Sequence, residues 1–298
     1  SHEFGVWEMG MSMPGEISQL ARIAVPDIGV VTNIGMAHIE SMKSREAIAL
    51  EKGMLAEAID EGGVVVLNAE DAYTESIKER CRARVVTVGF GAGDFRAVEV
   101  KQSERGMEFT IVANGEKHRV YVPASGRHMV ANALMAAAVG AHLGLSMEAI
   151  ARGLSQANLT AGRMQHKTIA GVDYIDDSYN ANPDSTIAAI NTLAGKKCAG
   201  RRILVMGGMA ELGDISIAEH RQIGRAAVDA GIDCILSVGE LAEPIYNGAQ
   251  SEMPGSAQHF ENHQKCIDFL QQEVSTGDLV LIKGSRSSAM ERIMEELG

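Results

Sequence analysis

Short apolar runs alternate with helical stretches along the first part of the chain. Residues 27–33 form an apolar run with β-branched side chains that opens after Pro26 and closes at the polar pair Thr32-Asn33, which predicts a buried strand. Ser44 predicts the N-cap of a helix that runs to about Asp60. Strands that alternate with helices in this way indicate a parallel, doubly wound sheet.

The same patterns predict the other elements of this part. Strands are predicted at residues 4–8, 64–67 and 85–88, and helices at residues 15–24 and 71–82. From residue 94 to residue 122 the segments become short and alternating, and Asn114-Gly115 marks a hairpin turn, so we expect a small antiparallel appendage. Helices are then predicted at residues 126–143 and, capped by Ser146, at residues 147–156.

A second α/β rhythm begins after a linker at residues 158–162. Strands are predicted at residues 172–175, 203–206, 234–238 and 279–282, and helices at residues 183–193, 217–230, 263–274 and 288–297. We place a domain boundary near Ala161, which gives domains at residues 1–160 and 161–298. The predicted fold class is α/β, with two doubly wound sheets.

Composition and charge exclude several classes of protein. The net charge of −12 argues against broad nucleic-acid binding, and the sequence has no apolar run long enough to span a membrane. The 4 cysteines are scattered without a C-x-x-C pair, which indicates a reducing compartment rather than a disulfide framework or a zinc site. We therefore expect a cytoplasmic protein, acting as a monomer on small molecules.

Lys52 lies on the apolar stripe of the helix that Ser44 begins. Ile48, Lys52, Leu55 and Ile59 share one face, so the lysine is predicted near the middle of the inward-facing side. A buried ammonium group is unfavourable, so this side chain should reach water with its head group, lose its proton, find a partner or be chemically modified. The first of these is the ordinary outcome for a lysine.

Glu8 and His38 are candidates to join Lys52 in one site. Glu8 ends the first predicted strand and His38 follows the next, and the carboxyl ends of neighbouring strands converge in a doubly wound sheet. A carboxylate and an imidazole suit a divalent cation, whereas an unmodified lysine does not. Carbamylation of Lys52 would convert its amine into an anion that can coordinate. Taken singly, the three are a surface glutamate, a loop histidine and a lysine with a packed stem, so only their combination is informative.

Several motifs, in one order along the chain, resemble the Mur ligase family. They are Glu8-Met9-Gly10, Thr32-Asn33-Ile34-Gly35 with His38, Lys52-Gly53, Gly126-x-His128-x-x-x-Asn132, Gly162-Arg163-Met164, Asp176-Asp177-Ser178-Tyr179-Asn180-Ala181-Asn182-Pro183, Gly207-Gly208-Met209-Ala210-Glu211-Leu212-Gly213 and Lys283-Gly284-Ser285-Arg286. The resemblance covers essentially all 298 residues. It implies a partial central, ATP-binding domain followed by a Rossmann-like C-terminal domain.

The resemblance implies an ATP-dependent ligase that forms an amide bond through an acyl phosphate. The motifs at residues 176–183 and 207–213 most resemble the family member that adds D-alanyl-D-alanine to UDP-N-acetylmuramoyl-tripeptide in peptidoglycan synthesis. The family also implies Mg²⁺ held by Glu8, His38 and Lys52, with the lysine carried as a carbamate formed from CO₂.

The resemblance further implies roles for residues of the nucleotide and substrate sites. The expected ATP contacts are Asn132, His128, Arg163, Asp177, Tyr179 and Asn180. The expected contacts of the incoming dipeptide or a phosphate are Lys283, Ser285, Arg286 and Glu211. Independently of the family, a strand end followed by a helix N-terminus at Ser287-Ser288 is a natural anion site.

One family feature does not occur in the sequence. The phosphate loop G-x-x-x-x-G-K-[ST] is absent, as is the N-terminal domain that binds the UDP-sugar, so we expect an N-terminally shortened chain that is not a competent ligase alone. Three alternatives remain open. They are the sibling ligase that adds the third amino acid, a folylpolyglutamate or cyanophycin synthetase, and a non-catalytic binding module with a decayed metal site.

Overall fold

The computed structural model describes residues 2–158 and 160–298, and this described part contains eleven α-helices and twelve strands. The helices are α1 (Glu16–Ala24), α2 (Ile39–Met42), α3 (Arg45–Ala58), α4 (Thr74–Lys78), α5 (Arg127–His142), α6 (Met147–Ser155), α7 (Pro183–Gly195), α8 (Ser216–Asp229), α9 (Glu243–Glu252), α10 (His263–Glu273) and α11 (Glu291–Leu297). The strands are β1 (Ile28–Val31), β2 (Val64–Asn68), β3 (Arg84–Gly89), β4 (Phe95–Gln102), β5 (Met107–Ala113), β6 (Glu116–Val122), β7 (Gln165–Ile169), β8 (Val172–Asp177), β9 (Arg202–Met206), β10 (Cys234–Val238), β11 (Ala257–Phe260) and β12 (Leu279–Lys283).

The described residues fall into two compact units. The first comprises residues up to 101 together with 108–122 and 128–156, and the second comprises residues 102–107, 123–127 and the chain from 157 to its end. Each unit contains one six-stranded sheet. Among the described helices, none combines the length and apolar composition that crossing a bilayer requires.

The first sheet has the strand order β1-β2-β3-β4-β5-β6. Strands β1 to β4 pair in parallel, and the predicted antiparallel segment continues this same sheet. Its hairpin turn is the predicted Asn114-Gly115 pair, whose φ angles of 52° and 83° are both left-handed. Two left-handed residues give the tight turn whose twist matches that of paired antiparallel strands.

The predicted strand at residues 4–8 is wrong, because these residues form no regular structure. Phe4, Val6 and Trp7 are exposed, and β1 is the edge of the described sheet. An extended segment becomes a strand only when a neighbour satisfies its backbone hydrogen bonds, and no described strand pairs with this one. The apolar pattern was therefore present without the pairing that a strand needs.

The predicted helices at residues 71–82 and 288–297 are shorter than expected. Asp71 accepts hydrogen bonds from the backbone N–H groups of Ile34 and Tyr73, so the chain turns there and α4 begins only at Thr74. Helix α11 begins at Glu291 because Ala289 adopts a left-handed φ of 46°. Both changes arise from local turns that the apolar pattern does not encode.

Four elements were not predicted from the sequence: α2, β7, α9 and β11. Strands β7 and β11 are the two edges of the second sheet, and between them they bury only Ala257 fully. An edge strand with few buried side chains has a weak hydrophobic pattern, so its position depends on pairing with the strand beside it.

The second sheet has the order β11-β10-β9-β12-β8-β7, parallel except for β7. The chain proceeds from β8 to β9, β10 and β11 and then returns to insert β12 between β9 and β8. Helices α10 and α11 share a core with one face of the sheet through Cys266, Leu270, Met290 and Ile293, and α7 packs against α8. The crossovers from β8 to β9 and from β9 to β10 run along the sheet in one direction, and the crossover from β11 to β12 runs in the other. Right-handed crossovers in opposite directions lie on opposite faces, which makes the carboxyl ends of β8, β9 and β12 a topological switch point.

Helices α8 and α9 approach closely at two glycines. A Cβ atom added to Gly224 would lie 2.0 Å from the carbonyl oxygen of Ile245, and one added to Gly248 would lie 2.1 Å from that of Arg221. Atoms cannot approach this closely, so the two positions require glycine for packing and not for backbone conformation.

We predict that Gly224→Ala and Gly248→Ala each lower the free energy of unfolding by about 1–3 kcal/mol or more, because the helices must separate. Gly153 of α6 is the matched control, since a Cβ atom there meets nothing within 4 Å. Gly153→Ala should raise the free energy of unfolding by about 0.5–1 kcal/mol. Urea unfolding of the three variants checks this, and equal midpoints would contradict the proposed packing.

Candidate functional site

An ion pair between Lys283 and Asp177 lies at the switch point of the second sheet. The two residues end β12 and β8 and are direct neighbours in the strand register. Lys283 Nζ donates to Asp177 Oδ2 at 2.6 Å and to the carbonyl oxygen of Asn180 at 2.9 Å, and the side chains are only 3% and 14% exposed. The ammonium group is thus engaged within the protein, where it orients Asp177 and the turn at Asn180. Its predicted direct contact with a bound anion stays a prediction.

Asp176 and Asp177 have different partners, as expected for successive residues of a strand. Asp176 is buried and accepts hydrogen bonds from the backbone N–H and the hydroxyl of Ser178, at 3.1 and 2.6 Å. This bonding shapes the turn that leaves β8.

Arg163 and Tyr179 stack beside this ion pair. The Arg163 guanidinium carbon lies 4.4 Å from the centroid of the Tyr179 ring, and the Tyr179 N–H donates to the carbonyl oxygen of Gly162 at 3.0 Å. The Met164 N–H donates to Asp177 Oδ1 at 3.2 Å. Gly162 has a φ of 69°, and a Cβ atom there would lie 2.9 Å from the Tyr179 nitrogen, so glycine is required at this approach.

The structure therefore brings together four predicted nucleotide contacts in the second unit: Arg163, Asp177, Tyr179 and Asn180. The stacked guanidinium and ring provide a flat, partly exposed surface of the kind that binds planar or anionic groups. Their role in nucleotide binding remains a prediction.

The loops after β9 and β12 are bonded to each other. The Gly207 N–H donates to the carbonyl oxygen of Lys283 at 2.8 Å, and the Ser285 N–H donates to that of Gly208 at 2.9 Å. The Ser288 hydroxyl also donates to Gly208 at 2.9 Å. A Cβ atom at Gly207 would lie 2.7 Å from Ser288 Cβ, so the two loops approach too closely for a larger residue.

The predicted substrate contacts in these loops differ in exposure. Ser285 is buried, and its hydroxyl is 3.0 and 3.2 Å from those of Ser287 and Ser288. Arg286 is 71% exposed and forms an ion pair of 3.1 Å with Glu291. Glu211 is exposed and has a left-handed φ of 61°.

The predicted helix N-terminus at Ser287-Ser288 is wrong. Residues Arg286–Ser288 form a single 3-10 turn, and α11 begins later and has only 7 residues. The helix-dipole argument for an anion site there loses its basis, and an exposed arginine is what remains.

In the first unit, Lys52 is half-buried and not the buried lysine that the helical stripe predicted. Ile48 and Ile59 of the same stripe are fully buried, but the Lys52 amine reaches the end of β1 and donates to the carbonyl oxygen of Asn33 at 2.8 Å. The sequence left four outcomes open for this ammonium group, and the structure shows one of them, in which the group finds a hydrogen-bond partner.

His38 precedes α2 with a left-handed φ of 62°, near the carboxylate of Glu16. The backbone N–H groups of Ser12 and Met13 donate to that carboxylate and lower its pKa, and His38 lowers this pKa further by a smaller electrostatic effect. Glu8 is exposed in the extended segment before these residues.

The unmodified side chains do not by themselves form a metal site. Throughout the described part of the chain, no three His, Cys, Asp or Glu side chains are grouped so that they could hold an ion. A site built from Glu8 and His38 would need a further ligand, and a carbamate on Lys52 is the one that the family motif predicts.

A groove of about 470 Å³ adjoins His38 in the first unit. Its walls come from the segment after Glu8, from α1 and from His38. The residues that line it are Gly10, Met11, Ser12, Glu16, Gln19, Leu20, Ile23 and His38.

The predicted ATP contacts His128 and Asn132 are one turn apart on α5 of the first unit. Asn132 is exposed and His128 is half-buried. The structure places both on one helix face, and their contact with a nucleotide stays a prediction.

Glu51 is a buried residue of this region that the motifs did not identify. Its carboxylate accepts hydrogen bonds from the backbone N–H groups of Gly15 and Ile17, both at 2.8 Å, and so holds the start of α1 against α3. The sequence could have indicated its burial, because Glu51 lies three residues after Ile48 on the inward face of the helix.

We predict that Glu51→Ala lowers the free energy of unfolding by about 2–4 kcal/mol, because two charge-assisted hydrogen bonds are lost and their donors are left unpaired. Glu51→Gln keeps one acceptor and should lose about half as much. Urea unfolding measures both variants, with exposed Glu61 as the matched control position. A Glu51→Ala protein as stable as Glu61→Ala would show that the carboxylate is dispensable.

His166 belongs to a buried polar cluster in the second unit. Its Nε2 lies 3.2 Å from the Ser125 hydroxyl, and burial, followed by the charge of Lys196, lowers the pKa of the imidazole to about 4. Burial likewise lowers the pKa of Lys196 to about 8, and its amine donates to the carbonyl oxygen of Glu104 at 2.8 Å.

The unfolded chain should therefore bind one more proton than the folded chain at His166 when the pH lies between about 6.5 and 4. We predict that the free energy of unfolding falls as the pH falls through this range. In His166→Gln this slope should be shallower by up to about one proton. Urea unfolding at a series of pH values tests this, with exposed His142→Gln as control. Identical slopes for His166→Gln and the unsubstituted chain would refute it.

Both parts of the chain match known protein domains. Residues 1–140 match the Mur ligase middle domain, and residues 162–286 match the Mur ligase glutamate ligase domain. The UDP-N-acetylmuramoyl-tripeptide–D-alanyl-D-alanine ligase of Bacillus subtilis is 35% identical over 298 residues, which cover 99% of this chain and 64% of that protein.

Two solved structures show the same fold. MurF from Acinetobacter baumannii superimposes with a TM-score of 0.89 at 32% identity, covering 97% of this chain and 63% of that one. MurF ligase from Thermotoga maritima, in complex with ADP, gives a TM-score of 0.86 at 25% identity over 97% of this chain and 65% of that one. The chain thus spans less than two thirds of the length of these relatives.

Proposed function

Because the chain belongs to the Mur ligase family and carries its middle and glutamate ligase domains, we propose that it forms part of an ATP-dependent ligase. The proposed ligase adds D-alanyl-D-alanine to UDP-N-acetylmuramoyl-tripeptide. The observation that carries this proposal is the 35% identity to the Bacillus subtilis ligase over nearly the whole chain. The residues at the switch point of the second sheet supply groups suited to such substrates. Phosphorylated, UDP-linked substrates and four free cysteines in the described chain favour a cytoplasmic enzyme, which we expect to be a monomer.

The proposed reaction has two steps. A carboxylate oxygen of the tripeptide attacks the γ-phosphorus of ATP, which releases ADP and leaves an acyl phosphate. The amine of D-alanyl-D-alanine then attacks the acyl carbon, loses a proton and displaces phosphate, which gives the amide. The main difficulty in the first step is charge, because an anion must approach a polyanion.

The residues of the second unit suit distinct parts of these substrates. The stacked pair of Arg163 and Tyr179 offers a cation and a ring to the nucleotide, and Asp177, held by Lys283, offers a carboxylate to a ribose hydroxyl. Arg286 is an exposed cation in the loop after β12 and suits the carboxylate of the incoming dipeptide. Glu211 offers a carboxylate to the dipeptide amine.

We also propose that Glu8, His38 and a carbamate of Lys52 hold Mg²⁺ in the first unit. When bound, Mg²⁺ would neutralise phosphate charge. Support comes from the half-buried position of Lys52 at the end of β1 and from its family motif. Carbamylation joins the neutral amine to CO₂ and releases one proton, so it converts the amine into an anionic third ligand beside the Glu8 carboxylate and the His38 imidazole.

The ligase proposal predicts activity in a chimera that joins this chain to the portion of the Bacillus subtilis relative outside the matched region. The chimera should convert ATP, UDP-N-acetylmuramoyl-tripeptide and D-alanyl-D-alanine to ADP, phosphate and the pentapeptide product, detected by mass spectrometry. Single amino acids should not replace the dipeptide. A folded chimera without turnover would favour a binding module, and turnover with a single amino acid would favour a sibling ligase.

Lys52→Ala should abolish ligation in this chimera, with partial recovery on addition of formate as a short carboxylate. Lys78→Ala is the matched control, because Lys78 is an exposed lysine of α4. In the isolated chain, ¹³C NMR with ¹³C-bicarbonate should show a carbamate resonance that Lys52→Ala removes and Lys78→Ala retains. Normal ligation by Lys52→Ala would rule out the proposed metal site.

A further inference from the structure

We propose that His220 is a positioning residue that holds the loop after β9, residues 207–212, in the conformation that presents Glu211. The relevance of this loop to the dipeptide rests on the function proposed above. The inference itself concerns a helix residue outside the motifs, and it stands on the hydrogen bonds around one buried imidazole.

The imidazole of His220 bridges α8 and the loop. His220 is fully buried, its Nε2 accepts the Met209 N–H at 2.8 Å, and its Nδ1 lies 2.7 Å from the carbonyl oxygen of Ser216. Because Nε2 is an acceptor and Nδ1 faces a carbonyl oxygen, the proton must be on Nδ1 and the ring must be neutral. Burial accordingly lowers the pKa of His220.

Met209 is fixed from a second side as well. Its side chain is fully buried, and its sulfur accepts the hydroxyl of Thr186, on α7, at 3.5 Å. The preceding residues Gly207 and Gly208 are bonded to the loop after β12, as described above. Through its bond with Met209, His220 joins this pair of loops to α8.

Glu211 adopts its unusual backbone conformation two residues beyond this anchor. Its φ of 61° is left-handed, which is strained by about 1 kcal/mol or more for a residue other than glycine or asparagine. Such strain persists only when neighbouring contacts determine the conformation. The bond from Met209 to His220 and the 3-10 turn Gly213–Ile215 flank Glu211 on its two sides along the chain.

Two substitutions separate the two bonds of the imidazole. Glutamine places its carbonyl oxygen at about the position of Nε2, so His220→Gln keeps an acceptor for Met209. Asparagine is shorter and places its amide at about the position of Nδ1, so His220→Asn keeps only the contact with Ser216. Exposed His142→Asn is the matched control.

Amide hydrogen exchange of the folded chain, followed residue by residue by NMR, tests the proposal. His220→Asn should accelerate exchange at Met209 and Glu211 by about tenfold or more, because a buried hydrogen bond is lost. His220→Gln should stay within a few-fold of the unsubstituted chain, and His142→Asn should be unchanged. Unaltered exchange at Met209 in His220→Asn, or acceleration spread equally over β9, β12 and the loop, would overturn the proposal. The second result would make His220 an ordinary core residue.

A titration with D-alanyl-D-alanine separates this inference from the proposed function. In the unsubstituted chain the dipeptide should shift the amide resonances of the loop, and His220→Asn should weaken that binding by about tenfold while His220→Gln restores it. If the dipeptide shifts no loop resonance in the unsubstituted chain, the proposed substrate fails, and the exchange data still decide the role of His220. If it binds equally to both variants, the positioning role fails and the substrate stands.

Discussion

The ion pair between Lys283 and Asp177 is the interaction on which the second unit depends. Strand β12 is central and buried along all five residues, yet it ends in a lysine, and a buried ammonium group needs compensation. Asp177 and the carbonyl oxygen of Asn180 provide it, which ties the end of β8 to the end of β12. Loss of one partner of such a pair costs about 3–5 kcal/mol, because the other charge is left buried. The loops that leave these strands are therefore fixed relative to each other.

The first unit uses the same principle with backbone groups as partners. Glu51 and Lys52 are adjacent on α3, but the carboxylate accepts the N–H groups that begin α1, whereas the ammonium group donates to the carbonyl oxygen of Asn33, two residues after β1. Element ends carry unpaired backbone donors and acceptors, so charged side chains of opposite sign satisfy opposite ends. Two neighbouring residues thus fix both elements on which the proposed site of this unit is built.

Close backbone approach is the second constraint on the candidate site. At Gly162 and Gly207 another loop occupies the space of a side chain, because a Cβ atom would lie 2.9 Å from the Tyr179 nitrogen and 2.7 Å from Ser288 Cβ. The loops at the carboxyl ends of β8, β9 and β12 can therefore approach this closely only with glycine at these two positions. The glycines of the family motifs are explained here by packing between protein loops. In the proposed function, the substrate contacts then fall to the exposed residues that this scaffold presents, chiefly Arg163, Tyr179, Glu211 and Arg286.

The sequence by itself determined the central strands, the capped helices and the order of the motifs, because these follow from local periodicity and from end residues such as Ser44 and Ser146. Through its family motifs it also indicated that Arg163, Tyr179 and Asn180 share a site with Asp177. Only the tertiary structure decided that residues 4–8 form no strand, that Lys52 reaches a backbone carbonyl, and that Glu51 and His220 hold distant segments. The hydrogen bonds of Lys52, Glu51 and His220 join residues 19, 34 to 36, and 11 positions apart, and no local hydrophobic pattern encodes such contacts.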